Sequence, residues 1–106
     1  MPKFSIIIPI YNIAPRLREC LGSVCAAAGK VKGGVEVVCV DDGSTDGSDK
    51  ICDEYAEKDE RIKVIHQENQ YVGVARNNGM DIACGDYIIF LDSDDFFDPD
   101  FFKKIT

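Results

Sequence analysis

The chain has 106 residues, 45% of them hydrophobic, and a formal net charge of −7, which describes one globular domain with room for a single core. Its acidity argues against a nucleic-acid partner, because phosphate backbones call for a basic surface, and it suits a site for a divalent cation. No apolar run approaches the roughly 18–20 residues of a membrane span, and Pro9 with Tyr11-Asn12 interrupts the first one before it could act as the core of a signal peptide.

The first predicted element is a strand from Lys3 to Ile10, KFSIIIPI. A helix follows, with Leu17, Leu21 and Val24 on its apolar face, then a strand from Val35 to Val40, VEVVCV. A second helix carries Ile51, Cys52, Tyr55 and Ala56, and leads to a strand from Ile62 to His66. A third carries Ala75, Gly79, Ile82 and Ala83, ahead of a strand from Asp86 to Leu91. A last helix is expected to begin at Pro99, with Asp98 as its N-cap. The strands are near-continuously apolar and rich in β-branched residues, the pattern of strands buried on both faces. Alternation of strand and helix implies a parallel sheet with right-handed crossovers. No linker divides the chain, so residues 1–106 read as one domain.

Cys20, Cys25, Cys39, Cys52 and Cys84 are odd in number and form no CxxC pair, so neither a disulfide framework nor a zinc site is indicated. Four of them fall at apolar positions, where a thiol acts as a small hydrophobe. A reducing, cytoplasmic setting is the natural expectation.

In open parallel sheets, ligands bind outside the carboxyl ends of the strands. Those ends carry Pro9-Ile10-Tyr11-Asn12, Asp41-Asp42-Gly43-Ser44, Gln67-Glu68-Asn69 and Asp92-Ser93-Asp94-Asp95. Acids gathered on one edge point to a single site. A dinucleotide fingerprint would need GxGxxG where IPIYN stands, and Gly73 to Gly79 is followed by Met80 instead of the GK[ST] of a phosphate loop. A sugar nucleotidyltransferase would show a Gly-rich, Arg-containing loop after the first strand, and none is present. The loop DDGSTDGSDKICD spaces its oxygens loosely like a calcium loop, but a strand precedes it and Asp53 stands where a bidentate Glu belongs. Its plainer reading is an Asx-type turn into a capped helix, which leaves Asp42 unexplained. LDSDD also fits an aspartyl phosphatase nucleophile, though that motif belongs near the start of its fold.

Taken together, IIIPIYN, VVCVDDGSTDGS and ARNNGMDIACGDYIIFLDSDD resemble the N-terminal, donor-binding half of family 2 glycosyltransferases. The resemblance covers essentially the whole chain and implies the GT-A fold, a Rossmann-like, mostly parallel sheet of alternating β-α units. It implies that Pro9, Tyr11 and Asn12 line the base pocket of a nucleotide-sugar, usually a UDP-sugar, and that Asp42 hydrogen-bonds the nucleobase. Asn69 and Arg76 match donor-contacting positions. Asp92, Ser93 and Asp94 match the DxD motif, with Asp92 towards the ribose and Asp94 binding the Mg²⁺ or Mn²⁺ that bridges the diphosphate. Without that ion a carboxylate facing a phosphate is repelled, by roughly 4 kcal/mol per charge pair at 4 Å and an effective dielectric near 20. A hard divalent cation reverses the sign.

Other residues have plainer roles. Tyr11 could fill the end of a strand and Arg76 could be a surface helix residue, while Asp41 is read as a support for its loop. His66 is read as structural, since no acid is fixed beside it by spacing, and Phe96, Phe97, Phe101 and Phe102 as packing. Where many relatives have Asn-x-Gly, Asn69 is followed by Gln70-Tyr71, so this loop is expected to take its own path. Family members continue well past the DxD, so the general base and the acceptor site, for a glycan or other hydroxyl, are expected beyond Thr106. These residues alone are then expected to bind donor and metal without turnover, to self-associate through exposed sheet edge and, in the whole protein, to work in the cytoplasm or at the cytoplasmic face of a membrane. The alternative is a non-catalytic module that holds nucleotide or metal.

Overall fold

A computed structural model describes residues 4–29, 34–68 and 72–92. They form β1 (Phe4–Ile10), α1 (Ala14–Ala28), β2 (Val35–Asp42), α2 (Ser48–Lys58), β3 (Ile62–Gln67), α3 (Val72–Ile82) and β4 (Tyr87–Phe90). The helix expected at Asp98-Pro99 lies outside the described residues.

The sheet is parallel throughout, in the order β3-β2-β1-β4. From β1 the chain steps outward to β2 and β3, then returns across β1 to place β4 on its other side. Right-handed crossovers taken in opposite directions put their helices on opposite faces. Alternation along the strands shows this directly. Ile6, Ile8 and Ile10 of β1 and Val35, Val37 and Cys39 of β2 pack with Leu17, Leu21, Val24 and Cys52 of α1 and α2. Ile7, Val38 and Val40 point the other way and pack with Ala75 of α3. The point where the strand order reverses, between β1 and β4, opens at the carboxyl edge.

Pro9 sits in a central strand without breaking its ladder. Leu91 donates its N–H to the carbonyl of Ile7 at 3.0 Å, so Ile7 bonds towards β4, and Pro9, two residues on, faces the same side. Pairing with β4 ends at Ile7 opposite Phe90. Proline's missing amide therefore falls past the last described β1–β4 pair, at the end of that ladder rather than within it.

Burial on both faces holds for β1 and β2 but not for β3 and β4. Tyr87, Ile88 and Phe90 of β4 are exposed, because β3 and β4 stand at the two edges of the described sheet. The third helical face also differs at its end. Ala75 and Gly79 pack inward, whereas Ile82 is exposed, and Ala83, just past the helix, joins the Ile7–Val40 cluster instead. All five cysteines are free thiols. Cys39 is buried, and both a hydrogen bond with Cys52 and burial push its thiol pKa up.

Two glycines mark close approaches. A Cβ on Gly79 would lie 2.6 Å from Ile7 Cγ2, so α3 rests against β1 closer than any side chain permits. At Gly85, in the turn between α3 and β4, a Cβ would meet the backbone of Phe4 and Ser5 at 2.7 Å, and the Gly85 N–H donates to Ser5 Oγ at 2.7 Å. Backbone cannot move aside as a side-chain tip can. Gly85→Ala is therefore expected to destabilise the fold by about 2–3 kcal/mol through overpacking. Gly22, exposed within α1, has nothing within 4 Å of its added Cβ, so Gly22→Ala should stabilise by about 0.5–1 kcal/mol. Urea unfolding of the two variants beside the wild type checks both signs.

Candidate functional site

Asp41 and Asp42 lie within β2, which runs two residues further than its apolar stretch suggests. Strand alternation therefore sends these adjacent carboxylates to opposite faces of the sheet. Both are buried, and each acquires its own set of partners.

Asp41 faces α2. Its Oδ1 accepts from the Ser44 N–H at 3.1 Å, the loop-supporting role expected of it. Its Oδ2 lies 2.9 Å from Nδ1 of His66, which stands opposite Asp41 in the β2–β3 register. The other ring nitrogen, Nε2, lies 2.8 Å from Asp53 of α2. His66 is structural, as expected, but it is a strut between two acids that sequence spacing could not bring together. The hydrogen bond with Asp41 first, and that with Asp53 second, raise its pKa above the ordinary imidazole value.

Asp42 faces α3. Its Oδ1 accepts from Nε2 of Gln67 at 2.8 Å, and Oε1 of Gln67 in turn accepts from Nδ2 of Asn78 on α3 at 2.6 Å. The sequence places Gln67 at the carboxyl end of its strand but does not join it to Asp42 or to Asn78, since the chain links three elements.

The Gly-Ser-Thr-Asp-Gly-Ser loop ties β2–α2 to β1–α1. Three successive amides, of Asn12, Ile13 and Ala14, donate to Ser44 Oγ at 3.1 Å, Ser48 Oγ at 3.1 Å and Asp46 Oδ2 at 3.0 Å. Asn12 reciprocates, its Oδ1 accepting from the Thr45 N–H at 2.7 Å. Its backbone has φ 48°, a left-handed conformation that asparagine tolerates better than most residues. The loop's oxygens thus serve backbone amides rather than converge on a cation. Asp46 also accepts from the Ser48 hydroxyl and amide, and that hydroxyl holds its carboxyl below the usual range. This Asx turn leads into α2, but the helix N-cap is Gly47, with φ 98° and no side-chain cap.

Tyr11, beside this stitch, is 52% exposed at the carboxyl edge. Asp92 follows β4 at the same edge, and Arg76 of α3 reaches across to it, Nη2 to Oδ1 at 3.5 Å. The guanidinium lies 5.6 Å from the Phe90 ring centroid, and its buried Nε has no hydrogen-bond partner among the described residues. Pro9, Tyr11, Asn12, Asp42, Arg76 and Asp92 thus share one sheet edge, around the reversal between β1 and β4. Asn69, Ser93 and Asp94 lie outside the described residues.

The family model described as glycosyl transferase family 2 matches residues 5–106. The chain belongs to that family. Among curated relatives, this family 2 chain is 43% identical over 108 residues to the glycosyltransferase GlyA of Streptococcus pneumoniae, covering 98% of itself and 15% of GlyA. Among solved structures, TarS 1-349 of S. aureus matches with a TM-score of 0.86 and 36% identity, over 97% of this chain and 31% of that one. The parallel sheet with alternating β-α units is the GT-A, Rossmann-like fold. TarS 1-349 is also solved in complex with UDP-GlcNAc. The mannosyltransferase PcManGT from Pyrobaculum calidifontis, in complex with GDP-Man and Mn²⁺, matches with a TM-score of 0.83 and 27% identity, over 93% of this chain and 30% of that one. The chain spans about a third or less of the length of each of these proteins.

The His66 strut has a pH signature. An imidazolium donates to Asp41 and Asp53 at once, whereas the neutral ring has one N–H and turns a lone pair towards one of the carboxylates. A raised folded-state pKa contributes stability that is full below the unfolded value near 6.5 and is lost as pH rises through the folded value. The ring is half-exposed, which limits the gain to about 1 kcal/mol after solvent screening. His66→Gln should lower Tm by about 5 °C at pH 6 and much less at pH 9, read by thermal melts of both proteins across that range.

Proposed function

We propose that this chain is the donor-binding part of a metal-dependent, inverting glycosyltransferase, taking a nucleotide-sugar whose nucleotide is most simply UDP. The observation that supports it best is the gathering of Tyr11, Asp42, Arg76 and Asp92 at the carboxyl edge, beside the strand-order reversal where open α/β sheets bind ligands. The neighbours solved with UDP-GlcNAc and with GDP-Man and Mn²⁺ lend weight to a nucleotide-sugar and a divalent ion.

In this reading the base rests in the pocket of Pro9, Tyr11 and Asn12. The Asn12–Thr45 and amide–hydroxyl bonds hold the Tyr11 segment in place without help from the ligand. Asp42 is an acceptor-only group when ionised, so it calls for a ring N–H on the base. Arg76 supplies positive charge towards the nucleotide, its unpartnered Nε leaving donor capacity unused by the described residues. Asn69 and Ser93 complete the donor contacts.

Asp92 suits a hard cation, being an exposed carboxylate at the site edge. Magnesium-type ions are commonly held by one or two carboxylates together with substrate phosphates, so Asp94, with Asp92 second or indirect, is a sufficient protein share. When bound, Mg²⁺ or Mn²⁺ supplies charge neutralisation of the diphosphate. In the whole protein a carboxylate outside these residues would take the proton of an acceptor hydroxyl, on a glycan or a similar molecule, for inverting displacement.

Calorimetric titration tests this directly. UDP and Mn²⁺ should bind cooperatively, each tightening the other about tenfold or more. Asp94→Ala should abolish that coupling, and UDP affinity untouched by Mn²⁺ or by this variant would refute the metal assignment. Asp42→Asn should weaken UDP by about tenfold while the response to Mn²⁺ persists. An unchanged affinity would remove Asp42 from the base site.

A further inference from the structure

We infer that Gln67 and Asn78 are specificity-determining positioning residues, which lock the Asp42 carboxylate in one orientation and thereby select bases with an N–H at the ring nitrogen. The inference rests on the reading of Asp42 as the base contact and goes on to say what makes that contact selective.

The hydrogen bonds run in one direction. Asn78 Nδ2 donates to Gln67 Oε1 at 2.6 Å, and Gln67 Nε2 donates to Asp42 Oδ1 at 2.8 Å. An ionised carboxylate accepts only, so the Gln67 amide must present its nitrogen to Asp42 and its oxygen elsewhere. Asn78 meets that oxygen with a donor, and the reversed amide would set oxygen against carboxylate and nitrogen against nitrogen. Each member comes from a different element: Asp42 from the end of β2, Gln67 opposite it in register at the end of β3, and Asn78 from α3. Asn78 and Gln67 are both half-buried, where a mispaired amide is costly.

Orientation matters because pyrimidine bases differ in how their donors are arranged. Uracil has an N–H at the third ring position, flanked by two carbonyls. Cytosine has a bare acceptor nitrogen there and an amino group next to it. A carboxylate free to swing can follow the donor from ring to amino group and bind either base. One pinned at Oδ1 by Gln67 keeps its aim and meets cytosine's ring nitrogen acceptor to acceptor. A site built around a fixed hydrogen bond rejects the analogue that leaves it unpaired far better than an adaptable one does.

The test is the ratio of UDP to CDP affinity, measured with Mn²⁺ on one preparation of each variant, so that any loss of folded fraction lowers both affinities alike. The wild type should prefer UDP. Asn78→Asp is nearly isosteric but cannot donate to Gln67, and Gln67→Leu removes one donor to Asp42. Each should cut the preference about tenfold, as CDP gains relative to UDP. Asp42→Asn separates the two layers of the argument. If Asp42→Asn collapses the ratio while Asn78→Asp and Gln67→Leu leave it unchanged, the positioning role is overturned and the base contact stands. If Asp42→Asn leaves the ratio unchanged, or the wild type shows no preference for UDP, the base contact itself falls. Equal weakening of UDP and CDP in Asn78→Asp and Gln67→Leu would mark the chain as merely structural and would also overturn the inference.

Discussion

Side chains of consecutive strand residues point to opposite faces, and β2 carries this rule through to its last two residues, Asp41 and Asp42. Two carboxylates that would otherwise repel as neighbours are separated by the full thickness of the sheet. Each is then answered by the helix on its own side: α2 through Asp53 and His66, α3 through Asn78 and Gln67. The parallel register supplies the intermediaries, because His66 and Gln67 stand opposite Asp41 and Asp42. A shift of one residue between β2 and β3 would turn His66, with Val64, to the face of Asp42 and Gln67, with Ile65, to the face of Asp41. The polar pairs therefore fix the same register that the apolar core requires.

This separation gives the adjacent acids different duties. Asp41 is occupied by the protein, with one oxygen on the Ser44 amide and the other on His66. It anchors the loop whose hydroxyls and carboxylate receive the amides of Asn12, Ile13 and Ala14. The β1–α1 segment that presents Tyr11 is thus held through the β2–α2 loop, and ultimately from the side of the sheet opposite to Asp42. In the proposed reading, one aspartate builds the walls of the base pocket and its neighbour reads what enters.

Periodicity made the fold legible. Apolar runs in β1 and β2, and spacing in α1 and α2, report burial because each side chain's environment repeats with the element. Edge position does not repeat, so the apolar β4 run read as doubly buried although Tyr87, Ile88 and Phe90 are exposed. The end of α3 misled for a related reason: Ile82 keeps the helical spacing, but the helix stops there and Ala83 takes the inward place. The site divided along the same line. Tyr11, Asp42 and Asp92 could be picked out as polar residues ending apolar strands, a local signal. His66 with Asp53, and Gln67 with Asn78, are joined only across elements, and nothing in linear spacing brings them together. Gly85 likewise has no local turn demand to explain it; the nearby backbone of Phe4 and Ser5 does.

The charge balance of the site then follows from what the protein has and has not neutralised. The chain carries a net charge of −7, so a nucleoside diphosphate, the ligand of the proposed reading, would approach against the overall field. At the described edge, His66 is turned inward to Asp41 and Asp53 and serves the loop scaffold. Arg76 remains near the site, yet it is drawn to Asp92 at 3.5 Å and to the face of Phe90. A single guanidinium shared with a carboxylate cannot offset two phosphates in such a field, and a divalent ion can. In the proposed reading, Asp92 and Arg76, paired at 3.5 Å, would exchange partners when a cation and a diphosphate arrive, Asp92 then holding the metal and Arg76 the nucleotide. Binding of either ligand alone would leave one member of the pair with a like charge or no partner, which is the physical reason to expect metal and nucleotide to bind together.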